Sequence, residues 1–180
     1  MVGVAEERSK IALIDLMRLL FQFEGSAAHI LYKHWETFDL SIFQYLLCVD
    51  IKDPENKVVH NYHLVSLKML GNIYQTSSGL DFIMDESASA QMLDFCSFSI
   101  TSSNPKTVFH AAVVAFNHIL CYKRDPKHIT SSLFNLLKQI IETLAGAHKN
   151  GGLADQEAIT ALLLCEIRML YKNNDLTLKV

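Results

Sequence analysis

Three stretches of this chain end almost alike, and that recurrence narrows the available folds more than any other feature. They are Leu70-Gly71-Asn72-Ile73-Tyr74, then Asn117-His118-Ile119-Leu120-Cys121-Tyr122-Lys123, then Glu166-Ile167-Arg168-Met169-Leu170-Tyr171-Lys172. Asn72 and Asn117 are 45 residues apart, and Asn117 and Glu166 are 49 apart. Each stretch closes a long apolar segment, and shorter apolar segments lie between the long ones. Periods of about 40–47 residues belong to repeats of two or three helices of the armadillo and HEAT type. A helix pair buries one face poorly alone, so stacked neighbours must supply a continuous core. The expectation is an all-α, armadillo-like helical repeat solenoid of about three repeats. A closed helical bundle is the alternative.

The helical spacing runs nearly throughout. Ile11, Ile14, Met17 or Arg18, and Phe21 mark one face of a first helix, with Ser9 in the N-cap position. Shorter helices are expected over residues 26–35 and 40–49, and a Pro54-containing loop over 52–57. Asn61 then caps a helix to about Tyr74, whose Leu64, Leu67, Leu70 and Ile73 step by three. Ser77 to Gly79 reads as a break, followed by a short helix over 80–84 and another that starts at Ser87. Residues 97–105 form a polar connector. Asn104-Pro105 is a strong helix start, because Asn accepts from the first turn and Pro lacks only an N–H that would have no partner there. That helix should reach Tyr122. A loop over 123–128 leads to a helix from Thr130 or Ser131 to about Gly146, a turn over 147–153, and a last helix from Asp155 to Tyr171.

Composition agrees and excludes several classes. Half of the 180 residues are hydrophobic and 19% are charged, which rules out intrinsic disorder. Seven glycines and three prolines are too few for an all-β chain of many tight turns. A net charge of −3 offers no electrostatic footprint for nucleic acid. No run approaches the ~18 apolar residues of a membrane span, and the first apolar stretch, broken by Asp15 and Arg18, is no signal peptide. Cys48, Cys96, Cys121 and Cys165 sit far apart in apolar stretches, as reduced, buried thiols would. One soluble, intracellular domain over residues 1–180 is expected.

Signals for chemistry are sparse. His60 and His63 are three apart, but no HExxH, CxxC or Glu-x-x-His pattern accompanies them, and His29 and His34 do not share a helix face. Surface or capping histidines are expected, with no metal and no cofactor. No G-x-S-x-G, phosphate loop or cysteine signature is present, so the chain reads as no enzyme. Polar residues inside apolar helices say more: Asp15 with Arg18, then Lys68, Asn72 and Asn117. On one reading they are structural, an intrahelical pair worth about 0.2–0.5 kcal/mol and asparagines that satisfy a neighbouring backbone. On the other, Arg18, Lys68, Asn72 and Asn117 line a concave groove that binds an extended acidic peptide.

At these residues the chain resembles the PUL domain, the C-terminal armadillo-like domain of the phospholipase A-2-activating protein and its fungal counterparts. The resemblance is carried by residues 13–19 (Leu-Ile-Asp-Leu-Met-Arg-Leu), 64–74 (Leu-Val-Ser-Leu-Lys-Met-Leu-Gly-Asn-Ile-Tyr), 104–125 and 157–163 (Glu-Ala-Ile-Thr-Ala-Leu-Leu), in family order. It implies a non-enzymatic module of the cytoplasm and nucleus. Family members bind the acidic, aromatic-ended C-terminal tail of the valosin-containing AAA ATPase in ubiquitin-dependent degradation. By position Arg18 matches the arginine of the family's Leu-Asp-x-x-Arg-Leu helix, Lys68 the basic residue before the Asn72 position, and Asn117 the asparagine of the next repeat. Ala161 stands where the family has an arginine, and Ile167 where it has a glycine. Arg168, seven residues past Ala161 on roughly the same face, is the expected substitute. Family domains extend further at both ends, so this chain reads as a shortened version. Loss of tail binding in favour of a scaffold role, with self-association through uncapped apolar ends, is the alternative.

Overall fold

The computed structural model describes residues 2–33, 37–38, 44–45, 47, 57–100, 104–122, 133, 135–139, 142–143 and 146. Arg168, Ala161, Ile167, Cys48, Cys165, His34 and the expected helix from Asp155 lie outside these residues, as do the loop over 123–128 and the turn over 147–153.

Helix α1 (Val2–Leu20) buries Ile14, Met17 and Phe21 at steps of three and four. It starts seven residues before Ser9, which lies exposed inside it rather than capping it. The residues upstream of Ser9 include Ala5, Glu6, Glu7 and Arg8, good helix formers that carry the helix back past any cap. A tight turn follows, with the Phe21 amide donating to the Met17 carbonyl at 2.9 Å. Helix α2 (Glu24–Leu31) then buries Ala27 and Leu31. It stops four residues short of the expected end. Tyr32 is extended at φ −104° and ψ 129°, and β1 (Tyr32–Lys33) pairs antiparallel with β2 (Thr37–Phe38), Tyr32 facing Phe38. The cross-strand ladder supplies partners that another helical turn would have used. Residues 44, 45 and 47 are helical, within the helix expected over 40–49.

Helix α3 (Lys57–Ile73) begins four residues before Asn61, because its buried stripe begins at Val59 and continues through Tyr62, Leu67, Leu70 and Ile73. Asn61 is exposed in its second turn. Ser77 to Gly79 is no break but the first turn of α4 (Ser77–Met84), capped by Thr76, whose Oγ1 accepts from the Gly79 amide at 3.1 Å. Helix α5 (Glu86–Ile100) opens one residue before Ser87 and is capped by Asp85, whose Oδ1 accepts from the Ala88 amide at 2.9 Å. Helix α6 (Pro105–Tyr122) has the expected bounds, and Asn104 Oδ1 accepts from the Lys106 amide at 3.0 Å. Residues 133, 135–139, 142–143 and 146 are helical, and Leu133, Leu136 and Leu137 join the core.

The helices stack in two rows. The long helices α1, α3 and α6 lie side by side with α3 in the middle, while α2 packs on α4, α4 on α5, and α5 on α6. Asn72 near the end of α3 reaches the end of α1, and Tyr74 just past α3 reaches His118 near the end of α6, so the three long helices run the same way. At their other ends Asn104 contacts His60. Repetition of one direction in a row is the solenoid, and the chain is an all-α helical-repeat domain. Glu24 ties the second row together: its carboxylate accepts from the Ser77 amide at 2.6 Å, the Ser78 amide at 3.0 Å and the Ser78 hydroxyl. A carboxylate at the N-terminus of α4 also meets the positive end of its dipole. These bonds, those of Ser78 foremost, hold the Glu24 carboxyl below its ordinary range.

Two histidines overturn the expected surface role. His63 is packed against Phe95 and Phe98 with ring centroids 5.5 and 5.2 Å away, and His118 is fully buried. Aromatic stacking and internal hydroxyls, which no local pattern announces, take the place of water around them. Cys96 is buried and Cys121 half-buried; burial pushes the Cys96 thiol up to about 12, which makes it inert at neutral pH.

Candidate peptide-binding face

Four of the five residues singled out from sequence lie on the long helices: Arg18 on α1, Lys68 and Asn72 on α3 and Asn117 on α6, with Lys68 exposed and the other three half-buried. On α1, Arg18 Nε donates to Asp15 Oδ1 at 2.8 Å, the i,i+3 pair anticipated from spacing. Asp15 is half-exposed, so the pair sits in a high-dielectric setting and contributes little to stability. The pair occupies part of the Arg18 guanidinium.

Asn72 joins α3 to α1. Its Nδ2 donates to the Arg18 carbonyl at 2.7 Å, and its Oδ1 accepts from Gln75 Nε2 at 3.3 Å. The last carbonyls of a helix have no partner within it, and Asn72 supplies one. Both ends of the amide are therefore engaged, and Asn72 positions Arg18 beside α3. Asn72→Ala should cost about 1–2 kcal/mol by leaving that half-buried carbonyl unpaired. A shifted urea midpoint with an unchanged slope checks this; an unchanged midpoint would show the bond to be dispensable.

Lys68 is exposed one turn before Asn72, on the same side of α3. Across from it on α6 lies His110. Burial first, and then the Lys68 charge, lower the pKa of His110, which places a second nitrogen base within electrostatic reach of Lys68. Asn117, half-buried, stands seven residues beyond His110 and shares its helix side. Sequence reasoning missed His110. Its i,i+7 spacing from Asn117 was the available signal, and its neighbour Lys68 is 42 residues away in the chain.

Beneath this face a buried polar chain links α3, α6 and α5. Tyr74 Oη and His118 Nδ1 are 2.9 Å apart, and His118 Nε2 and Ser89 Oγ are 2.9 Å apart. A neutral imidazole has one donor and one acceptor nitrogen, and each finds a hydroxyl here. The recurring Asn-x-Tyr and Asn-His endings thus stitch repeat to repeat. Among the described residues, no group of three His, Cys, Asp or Glu side chains could hold a metal ion, and no helix is long and apolar enough to cross a membrane.

A row of parallel long helices, stacked repeat on repeat, is the architecture of a helical-repeat protein-interaction domain. The chain belongs to the PUL domain family: the family pattern matches residues 6–177, nearly its whole length. No curated protein and no solved structure matches it significantly. The family is one of protein-binding modules and is not a known enzyme family.

Proposed function

We propose that the chain binds the acidic C-terminal tail of the valosin-containing AAA ATPase and so serves ubiquitin-dependent degradation. The observation that carries this reading is the bond from Asn72 to the Arg18 carbonyl, which brings the Arg18 end of α1 beside the helix that carries Lys68. An extended peptide laid across the row meets the Arg18 guanidinium on α1, the Lys68 ammonium and Asn72 on α3, and His110 with Asn117 on α6. Arginine offers a bidentate fork to a carboxylate, and lysine a point charge. Arg168 extends the basic stripe in the same proposal, and the chain works in the cytoplasm and the nucleus, where such an ATPase acts.

Calorimetric titration of an acidic, aromatic-ended tail peptide tests the reading. Each charged hydrogen bond is worth about 1.5–3 kcal/mol, so Arg18→Ala and Lys68→Ala should each weaken binding by roughly 10- to 150-fold. Asp15→Ala should tighten it, because the guanidinium is released. Added salt should weaken the complex, since part of the affinity is exposed charge pairing. Binding indifferent to both cation substitutions would remove the face from consideration. No binding at all would leave the scaffold reading, with a ligand lost along with the family arginine at Ala161.

A further inference from the structure

Gly71 breaks a local rule that nothing inside the fold requires it to break. A glycine within a helix destabilises it relative to alanine, and the usual reasons for one are a left-handed backbone, a helix end or a close neighbour. None of these applies. Gly71 is helical, Asn72 and Ile73 continue the helix beyond it, and an added Cβ would meet no heavy atom within 4 Å. Gly79 is the contrast, since the backbone at the end of α3 fills the space that its Cβ would take. A residue that departs from local preference with no compensating contact inside the fold points to a contact outside it.

Its place on α3 says what that contact is. Asn61, Lys68 and Gln75 are exposed and succeed one another at intervals of seven residues, so they run along one line of the helix. Asn72 and Gly71, both half-buried, flank that line on opposite sides, all five within an arc of about 100°. The Asn72 side adjoins α1, through the bond to the Arg18 carbonyl. His60 and Tyr74, which reach Asn104 and His118 of α6, lie next to Gly71 on the other side. Gly71 therefore borders the groove between α3 and α6, one turn after Lys68, and His110 of α6 is within electrostatic reach of that lysine. A cation beside a position with no side chain suits an acidic chain in an extended conformation: the ammonium meets a carboxylate, and the bare backbone lets the main chain come close.

We infer that Gly71 is the point at which the main chain of a bound acidic peptide lies against α3, an inference that rests on the peptide-binding reading above. Calorimetric titration of the acidic, aromatic-ended tail peptide into the full chain carrying Gly71→Ala or Gly71→Leu tests it. Filling a close contact should weaken binding about 5-fold for alanine and about 100-fold for leucine. Urea unfolding should show both variants at least as stable as the parent, because alanine and leucine are better helix formers, which separates lost binding from lost fold. Gly25→Leu, on α2 in the second row and likewise without an atom within 4 Å of its Cβ position, should bind as the parent does. Parent affinity in Gly71→Leu, with Arg18→Ala and Lys68→Ala weakened, would overturn this inference and leave the peptide-binding face standing. An equal loss in Gly25→Leu would overturn it too, since the effect would not be local. A parent that binds no peptide would remove the reading and this inference together.

Discussion

Gly79→Ala is expected to destabilise the domain by about 3 kcal/mol or more, the largest effect of an added methyl group among Gly25, Gly71, Gly79 and Gly146. A Cβ at this position would stand 1.9 Å from the Ile73 carbonyl oxygen, 2.9 Å from the Ile73 carbonyl carbon and 2.8 Å from Thr76 Oγ1. The first two atoms are backbone at the end of α3 and cannot swing aside. The third is the cap of α4, already accepting from the Gly79 amide. Relief of the clash requires α4 to lift off α3, which also opens the Glu24 contact with Ser77 and Ser78 that joins α4 to α2. Gly71 is the control. It lies inside α3 with no atom within 4 Å of an added Cβ, so Gly71→Ala should stabilise the fold by about 0.5–1 kcal/mol through helix propensity. Urea unfolding of the two variants should shift the midpoint in opposite directions. Equal shifts would mean that α4 does not sit on α3 as closely as the geometry has it.

Acid should unfold the domain well before its carboxylates are fully protonated. Burial lowers the pKa of His118 to about 3, while burial, followed by the nearby charge of His60, lowers that of His63 to about 4, both from 6.5. The unfolded chain therefore binds protons that the folded chain refuses. The stability tied to each neutral imidazole is fully present above pH 6.5 and is lost as the pH falls toward the folded value. Each histidine contributes a slope of about 1.4 kcal/mol per pH unit, so the two together approach 2.7 between pH 6 and pH 4. Integrated from pH 7 to pH 4 the two remove about 6 kcal/mol, which reaches the lower end of a typical domain stability of about 5–15 kcal/mol. Glu24 adds in the same direction at lower pH, because its ionised form is favoured only in the folded state.

Two substitutions divide the acid effect. The buried His63 Nε2 has no hydrogen-bond partner, so His63→Leu should leave neutral-pH stability equal or higher and roughly halve the slope. His118→Leu should flatten the slope as well, but at a cost of about 2–4 kcal/mol at neutral pH, since the hydroxyls of Tyr74 and Ser89 lose their shared partner. Ser89→Ala in that background should recover part of the loss. Circular dichroism followed from pH 7 to pH 3 in the parent and both variants is the measurement. A parent whose stability does not change between pH 6.5 and pH 4 would show that water reaches the two rings.

Long helices were legible in the sequence because each writes a stripe of apolar residues three and four apart, as in α3 from Val59 to Ile73. Starts were legible only where a side chain close in sequence makes the cap, as Asn104 does for α6. Ser9 and Asn61 carry the same chemistry but lie inside helices, since apolar or helix-forming residues upstream of them propagate the helix past the cap. Asp15 and Arg18 could be paired from their spacing, because both are on one helix. Sequence alone determined the all-α repeat and its long helices, since both depend on interactions between residues a few positions apart. Tertiary structure decided that Asn72 holds the Arg18 carbonyl, that His110 stands beside Lys68, that Glu24 caps α4 and that His118 is buried between two hydroxyls. Each of those contacts joins residues about 30 to 55 positions apart, and only the stacking of one repeat on the next brings their polar groups within reach.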